Sequence, residues 1–138
     1  MPFERTYDPE RKLLVMRAVG TGTLRDTLEG LRVLGADATR EARSSLLLDL
    51  RGQAFLPSAP EAYAVAGELA SAVRPGPRRV AILTAPGVQY GCGRMIATLA
   101  EMRGVAINVF MEEAEAQQWL DHGPARPSGE TAKPSVSG

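Results

Sequence analysis

The chain has 138 residues, of which 44% are hydrophobic and 23% are charged, and its 16 basic and 16 acidic side chains give a formal net charge of zero. This length suits one globular domain that can bury enough apolar surface to fold without a metal ion or a disulfide. Balanced charge argues against a nucleic-acid partner, which would require clustered Lys and Arg side chains on phosphates, and no apolar run approaches the ~20 residues of a membrane-spanning helix.

The first part of the chain predicts an antiparallel pair of strands followed by a helix. Residues 13–19 form an apolar run that is typical of a strand, and a turn signal at residues 8–10 precedes it. Residues 3–7 are therefore expected to pair with this run as an antiparallel edge strand. Behind Thr23, leucines spaced four and three residues apart predict a helix over about residues 24–35.

Three later apolar runs, at residues 46–50, 80–84 and 105–110, predict the remaining strands. Their apolar residues do not alternate with polar ones, which is typical of strands covered on both faces. A sheet covered on both faces is usually parallel and is connected by helical crossovers. We therefore expect these strands to pair in parallel.

Helical patterns separate and follow these runs. Ser58, a proline in the first turn and Glu61 predict the start of a helix. A third helix is predicted to end before Gly104, and the sequence leaves open whether it begins before or after Gly91. Its predicted apolar stripe consists of Cys92, Met95, Ile96, Leu99 and Met102. A last short helix is predicted over about residues 112–121.

The alternation of strands and helices predicts a single-domain α/β fold. Its sheet is expected to be mixed but mostly parallel, with about four to five strands flanked by helices. From Gly123 onward the chain is rich in proline, glycine and serine and nearly lacks large aliphatic side chains. Such a segment buries too little apolar surface to offset its ordering entropy, so we expect a folded domain over residues 1–122 and a disordered tail over residues 123–138.

The cysteine content and the first residues bear on location. Cys92 is the only cysteine, so no intramolecular disulfide can form. The chain begins Met-Pro-Phe-Glu-Arg and lacks the apolar core of a signal peptide there. Both features lead us to expect a cytoplasmic protein.

A first candidate site is the loop from Asp49 to Ser58, which leads from a buried strand into a helix. Ligands of open α/β sheets tend to lie beyond the carboxyl ends of the strands. Asp49 and Arg51 could form the polar walls of a pocket there, and Ser58 could contact an anion or accept a phosphate. The alternative is that Ser58 caps its helix while Asp49 pairs with Arg51 or with a backbone amide.

A second candidate site runs from Thr84 to Arg94 and contains three glycines. Backbone amides around Gly91 and the Arg94 guanidinium could bind a phosphate or a carboxylate, although the glycine spacing is not that of the known phosphate loops. Alternatively, the glycines let the helix pack closely on the sheet or on a second subunit, which would suit a homodimer. Tyr90 is either an exposed contact residue or a side chain whose ring covers the edge of the core.

Other patterns in the sequence argue against catalysis and metal binding. One cysteine and one histidine cannot supply a structural zinc site, and no serine-hydrolase or metalloprotease motif occurs. Cys92 is expected to be a buried thiol, because it falls on an apolar stripe and His122 lies near the far end of the chain. The acids at 112, 113 and 115 point in different directions on a helix and are expected to be solvated. We therefore expect no metal, no cofactor and no enzymatic activity.

Several of these segments resemble a known family. Asp49-Leu50, the loop with Phe55-Leu56, and Ser58 at the next helix resemble the strand-loop-helix hallmark of STAS domains, the sulfate-transporter and anti-sigma-factor-antagonist modules. The resemblance to the small bacterial SpoIIAA-like proteins is more specific and extends over about residues 10–121. It is carried by Arg79-Val80-Ala81-Ile82-Leu83, Tyr90-Gly91, Arg94-Met95, Ala100-Glu101, Val109-Phe110, Ala116 and Trp119-Leu120. The resemblance implies an α/β sheet flanked by helices.

The resemblance also bears on regulation. Phosphorylated antagonists of this family carry Asp-Ser-Ser-Gly in the loop, where the second serine takes a phosphate that switches binding to a kinase-like partner. This chain has Pro-Ser-Ala-Pro there, so Ala59 occupies the phosphoacceptor position and the usual switch is expected to be missing. The resemblance thus implies a non-enzymatic regulatory or protein-interaction domain. Its binding surface is expected to combine loop 51–58 with the face from Tyr90 to Arg94.

An alternative follows from the similarity of this fold group to the lipid-carrying CRAL-TRIO domains. That similarity implies a carrier or sensor of a small lipid or acidic metabolite, held between helix and sheet. Small residues could leave room for such a ligand, namely Gly52, Ala54, Gly87, Gly91 and Gly93. An enzyme that uses Asp49, Ser58 or Cys92 is the least favoured hypothesis.

Overall fold

The computed structural model describes residues 3–20, 23–40, 45–53, 56–73 and 79–121. The strands are β1 (Phe3–Asp8), β2 (Leu13–Gly20), β3 (Ser45–Gln53), β4 (Arg79–Leu83) and β5 (Ala106–Phe110). The helices are α1 (Leu24–Arg40), α2 (Ala59–Val73), α3 (Val88–Glu101) and α4 (Glu113–Asp121). The predicted tail, residues 123–138, lies outside the described residues. Within the described ranges, no helix has the length and apolar character needed to cross a membrane.

The strands form one five-stranded sheet in the order β1-β2-β3-β4-β5. β1 pairs antiparallel with β2, and the neighbours from β2 to β5 pair in parallel. The Asp8 carboxylate closes the turn between β1 and β2 by accepting hydrogen bonds from the amides of Glu10 and Arg11. The prediction of a mixed, mostly parallel α/β sheet is therefore confirmed, including its antiparallel edge strand.

The helices are divided unequally between the two faces of the sheet. Strands β2 to β5 follow one another across the sheet without a reversal, so right-handed crossovers place α1, α2 and α3 on the same face. α4 follows the last strand and packs against β3, β4 and β5 from the other side. We call these two sides the three-helix face and the α4 face.

Two apolar cores result from this arrangement. The larger core lies under the three-helix face and includes Met16, Leu31, Leu46, Leu48, Leu69, Val80, Ile82, Ile96 and Val109. The smaller core lies under α4 and consists of Leu13, Leu47, Ala81, Leu83, Ala116 and Leu120. Successive residues of a strand point to opposite faces, so Leu46 and Leu47 enter different cores. This is why the strand sequences show no polar alternation.

The structure departs from the sequence-based boundaries at several points. α1 continues to Arg40, past the predicted end near residue 35, because Gly35 costs only ~1 kcal/mol inside a helix and does not end it. α3 begins at Val88, before Gly91. The expectation that Met102 lies on the apolar stripe of α3 is wrong, because this residue follows the last helical position and is 78% exposed. β5 alternates between buried and half-buried residues, since it is an edge strand and α4 covers it only in part.

Gly93 lets α3 lie close to the sheet. A Cβ atom at this position would lie 3.0 Å from Thr84 Cγ2 and 3.2 Å from Val109 Cγ1. Both neighbours are buried, so they have little room to move. Gly91 lies in the same helix, but the position of its missing Cβ atom is surrounded by open space. Close packing on the sheet therefore explains Gly93 and does not explain Gly91.

We expect Gly93→Val to lower the free energy of unfolding by about 1–3 kcal/mol, because the added methyl groups must displace buried neighbours. Gly91→Val is the matched control and should change the free energy of unfolding by less than about 0.5 kcal/mol, since its side chain enters open space. Urea unfolding followed by circular dichroism measures both variants. Equal destabilisation by the two substitutions would contradict the close approach at Gly93.

Candidate functional site

The residues predicted to form the functional surface lie on opposite sides of the sheet. Asp49 and Arg51 belong to the α4 face, where both take part in a cluster of ion pairs. Ser58 immediately precedes α2 on the three-helix side. The remaining predicted residues lie within or just before α3, and they are Thr84, Tyr90, Gly91 and Arg94. The structure therefore gathers the α2 and α3 residues in one region and places the Asp49 pair elsewhere.

The Asp49 carboxylate is the centre of the ion-pair cluster on the α4 face. Its side chain is 8% exposed, and it accepts hydrogen bonds from the Arg51 backbone amide at 3.1 Å and from Arg51 Nε and Nη2 at 3.0 Å each. Arg17 Nη1 donates to the same carboxylate. Both arginines also reach the Glu113 carboxylate of α4, at 3.1 and 3.4 Å. The structure thus shows the alternative in which Asp49 pairs with Arg51 and with a backbone amide.

The electrostatics of this cluster favour a fixed, fully ionised state. Burial raises the pKa of Asp49, but hydrogen bonds from Arg51 and Arg17 outweigh burial and hold that pKa below its ordinary value. A hydrogen bond with Glu113 raises the pKa of Arg17, and a hydrogen bond with Asp49 raises the pKa of Arg51. A general acid or base needs a pKa near the working pH, so Asp49 is poorly suited to proton transfer.

Glu113 overturns one expectation from the sequence. The acids at the start of α4 are expected to be solvated, but the Glu113 side chain is only 33% exposed and pairs with Arg17 and Arg51. These partners are 96 and 62 residues away along the chain, so no local pattern could have indicated them. Glu112 and Glu115 are exposed, in line with the expectation.

Ser58 is the N-cap of α2. The Glu61 amide donates a hydrogen bond to Ser58 Oγ at 3.3 Å, and the Ser58 amide donates one to Glu61 Oε1 at 2.9 Å. This reciprocal pair is a capping box, which satisfies two amides at the helix start. Ser58 is exposed, but its hydroxyl already has a structural role, as the capping alternative expects.

The loop before α2 lies against the first turns of α3. Cys92 Sγ is 3.8 Å from the carbonyl oxygen of Pro57. Two large apolar side chains are exposed on these adjacent segments, Leu56 at 48% and Val88 at 69%. We use the name α2/α3 surface for five exposed residues on these segments, namely Leu56, Ser58, Val88, Gly91 and Arg94.

Gln89 connects this region to β3 and to the segment that follows β4. Its Nε2 atom donates to the carbonyl oxygen of Leu50 at 2.7 Å, and its Oε1 atom accepts from the amide of Ala85 at 2.6 Å. The side chain therefore joins β3, the segment after β4 and the start of α3. Nothing in the sequence singles out Gln89, because glutamine in a first helical turn carries no distinctive signal.

Tyr90 and Thr84 both contact the interior of the domain. Tyr90 is half-buried and packs against the larger core, which is the alternative in which its ring covers the core edge. Thr84 is fully buried, and its amide donates to the carbonyl oxygen of Phe110 at 2.9 Å. Its Oγ1 atom has no hydrogen-bond partner among the described residues.

An apolar cavity of about 40 Å³ lies on the three-helix face, between the helices and the sheet. The side chains around it include Met16, Leu31, Leu48, Val65, Leu69, Ile82, Cys92 and Ile96. Of the small residues expected to leave room for a ligand, Gly93 borders this cavity. Gly52, Gly87 and Gly91 are exposed instead, and Ala54 lies outside the described residues. The cavity is therefore formed by gaps between large apolar side chains.

Cys92 is a free, half-buried thiol beside this cavity. His122, the histidine that could act as its base, lies outside the described residues. Where the structure describes the chain, it contains no group of three or more His, Cys, Asp and Glu side chains that could hold a metal ion.

Comparisons with known proteins identify the fold. No family model matches the chain, and no curated protein matches it. A solved structure that does match is an uncharacterized protein of the DUF3478 family with a SpoIIAA-like fold, from Shewanella loihica PV-4. The two chains are 17% identical, the alignment covers 86% of this chain and 91% of that chain, and the TM-score is 0.56. The chain therefore has a SpoIIAA-like α/β fold, as the resemblance implies.

Replacing Thr84 tests whether its buried hydroxyl lacks a partner. We expect Thr84→Val to raise the free energy of unfolding by about 1 kcal/mol, because valine keeps the shape and removes an unpartnered buried hydroxyl. Thr27→Val is the matched control. Thr27 is 7% exposed, and its Oγ1 atom donates a hydrogen bond to the carbonyl oxygen of Thr23 at 3.0 Å. Loss of this hydrogen bond should lower the free energy of unfolding by about 0.5–1.5 kcal/mol. Chemical denaturation that finds Thr84→Val less stable than wild type would show that the hydroxyl has a partner in solution.

Asp49→Asn should lower the free energy of unfolding by about 1–3 kcal/mol, because an amide cannot replace a carboxylate between two guanidinium groups. The pKa of Asp49 is lower in the folded chain than its ordinary value of 3.8, so its contribution is full above that value and is lost as the pH falls below it. The stability difference between wild type and Asp49→Asn should therefore be constant near neutral pH and shrink below about pH 4. Urea unfolding over this pH range measures the difference. A gap that stays the same in acid would refute the ionised cluster.

Proposed function

We propose that this SpoIIAA-like domain is a non-enzymatic regulatory or protein-interaction domain that binds its partner through the α2/α3 surface. The observation that carries the proposal is the exposure of Leu56 and Val88, at 48% and 69%, on adjacent segments. Covering large apolar side chains that are exposed to water lowers the free energy of the complex. The Ser58 cap and the Gln89 hydrogen bonds already order these segments, so binding costs little additional ordering.

The polar groups of the surface support recognition and not covalent chemistry. Arg94 is exposed on α3 and can pair with a carboxylate of a partner. The Ser58 hydroxyl accepts a hydrogen bond from the Glu61 amide. Cys92 Sγ lies against a backbone carbonyl oxygen. Among the described residues, neither the Ser58 hydroxyl nor the Cys92 thiol contacts a side chain that would activate it as a nucleophile. This favours a binding role.

Binding in this proposal is not switched by phosphorylation. α2 begins at Ala59, the position that the family resemblance assigns to the phosphoacceptor. Alanine carries no hydroxyl, and the hydroxyl of the preceding Ser58 caps the helix. We therefore propose that the α2/α3 surface can bind its partner without a phosphorylation step.

A carrier of a small ligand is the second candidate, and the apolar cavity favours it. The cavity measures about 40 Å³, whereas an apolar protein cavity that binds benzene measures about 150 Å³. A lipid chain would therefore require the helices of the three-helix face to move apart. A small molecule that stays bound in native mass spectrometry would favour the carrier over the interaction domain.

Val88→Asp and Arg94→Glu are expected to weaken partner binding by about tenfold or more, with little change in melting temperature. The first variant places a charge where apolar area is covered, and the second reverses a charge available for pairing. Glu101→Lys is the matched control, because Glu101 is exposed at the far end of α3. Tyr90 is unsuitable for this test because it packs against the core.

Each purified variant is immobilised, exposed to a lysate of the source cells under mild crosslinking, and the retained proteins are quantified by mass spectrometry. Circular dichroism gives the melting temperatures. Wild type and Glu101→Lys should retain the same partner, and the two surface variants should lose it. Identical retention by all four proteins, or a loss that tracks unfolding, would exclude this surface as the binding site.

A further inference from the structure

α4 is the one helix on its face of the sheet within the described residues, and few apolar contacts hold it. Ala116 and Leu120 are its buried apolar residues, and Trp119 packs beside them. A helix of nine residues is too short to be stable alone in water. α4 therefore depends on its contacts with the sheet.

Arginines from the sheet hold the first turn of α4. Arg17 Nη2 donates to Glu113 at 3.1 Å, and Arg51 Nη2 donates to the other oxygen of the same carboxylate at 3.4 Å. Arg17 comes from β2 and Arg51 from β3, so the acid bridges two neighbouring strands. Two ion pairs therefore attach the start of α4 to the sheet.

Arginines also hold the second half of α4. Arg11, in the turn between β1 and β2, donates to Gln117 and to Asp121. The Arg79 guanidinium lies over the Trp119 ring at 4.7 Å and donates to the carbonyl oxygen of the same residue. Arginines of the sheet and of the turn between β1 and β2 therefore contact both ends of α4.

α4 buries two residues, whereas α2 buries six and α3 buries four. The side chains of its ion pairs are 33–50% exposed, so each pair stabilises only modestly and is screened by salt. α1, α2 and α3, in contrast, contribute buried side chains to the larger core. The linker to β5 consists of Met111 and Glu112, which are both exposed. Release of α4 breaks the ring contact between Trp119 and Phe110 of β5, whose centroids are 5.7 Å apart, but it leaves the pairing of β5 with β4 in place. We therefore expect release to cost less than global unfolding.

We propose that α4 is a releasable strap over a docking surface for acidic amphipathic helices. The surface combines apolar side chains with the arginines around them, namely Leu47, Ala81, Leu83, Arg11, Arg17 and Arg51. α4 itself shows which helix fits, because acids at its ends meet the arginines while Ala116 and Leu120 enter the apolar patch. A partner helix with this spacing satisfies the same groups, and charge complementarity selects it over a basic helix. This surface lies on the opposite face from the α2/α3 surface, so the two proposals are independent.

Native-state hydrogen exchange on the full chain tests the release. In Glu113→Gln, which removes the charge of the first-turn pairs, the α4 amides should exchange about three to ten times faster, while the amides of β3 and β4 keep their wild-type rates. Glu115→Gln is the matched control, because Glu115 is exposed in the same turn. Asp121→Asn should also accelerate exchange, and it replaces the first variant if that variant misfolds. Salt at about 1 M should speed exchange of α4 in wild type.

A labelled peptide with the sequence of residues 112–121 tests the docking. The peptide can bind only when the chain's own α4 has left, so it should bind the Glu113→Gln chain about three to ten times more tightly than wild type or Glu115→Gln. Fluorescence anisotropy measures the affinities.

Exchange of the α4 amides only together with those of β3 and β4 would overturn the release. A peptide that binds none of the chains, or all of them equally, would overturn the docking surface.

Discussion

The handedness of the crossovers constrains the whole molecule. Strands β2 to β5 are parallel and follow one another across the sheet, so the three crossover helices cover the same face. The opposite face is left to the chain that follows β5, and a nine-residue helix covers part of it. The two faces are consequently held in different ways. A large apolar core supports one, and a small apolar core framed by arginines supports the other.

This division also separates the polar groups by role. Asp49 is a buried acid in the middle of β3, and Arg17 and Arg51 occupy its carboxylate oxygens. The α2/α3 surface has the opposite character, because it exposes Leu56 and Val88 on ordered segments. Our proposal of a binding function rests on this contrast between a satisfied charge cluster and an uncovered apolar surface.

The chain shares its fold with a protein that is only 17% identical to it. Leu46, Leu47 and Leu48 project alternately into the two cores, and other apolar side chains of similar volume could take their places. Residues of the α2/α3 surface are under no such packing constraint. A shared SpoIIAA-like fold therefore does not by itself identify a shared partner.

The sequence alone determined the strands, the helices and their order, because these depend on residues close together in the chain. The apolar runs, the turn at Asp8 and the cap at Ser58 are all local patterns of this kind. Only the tertiary structure decided which distant polar groups meet. Arg17, Asp49 and Glu113 form one cluster although Arg17 is 32 and 96 residues from its two partners. Their meeting depends on strand register and on the face that each helix covers, and neither is written in any short stretch of sequence.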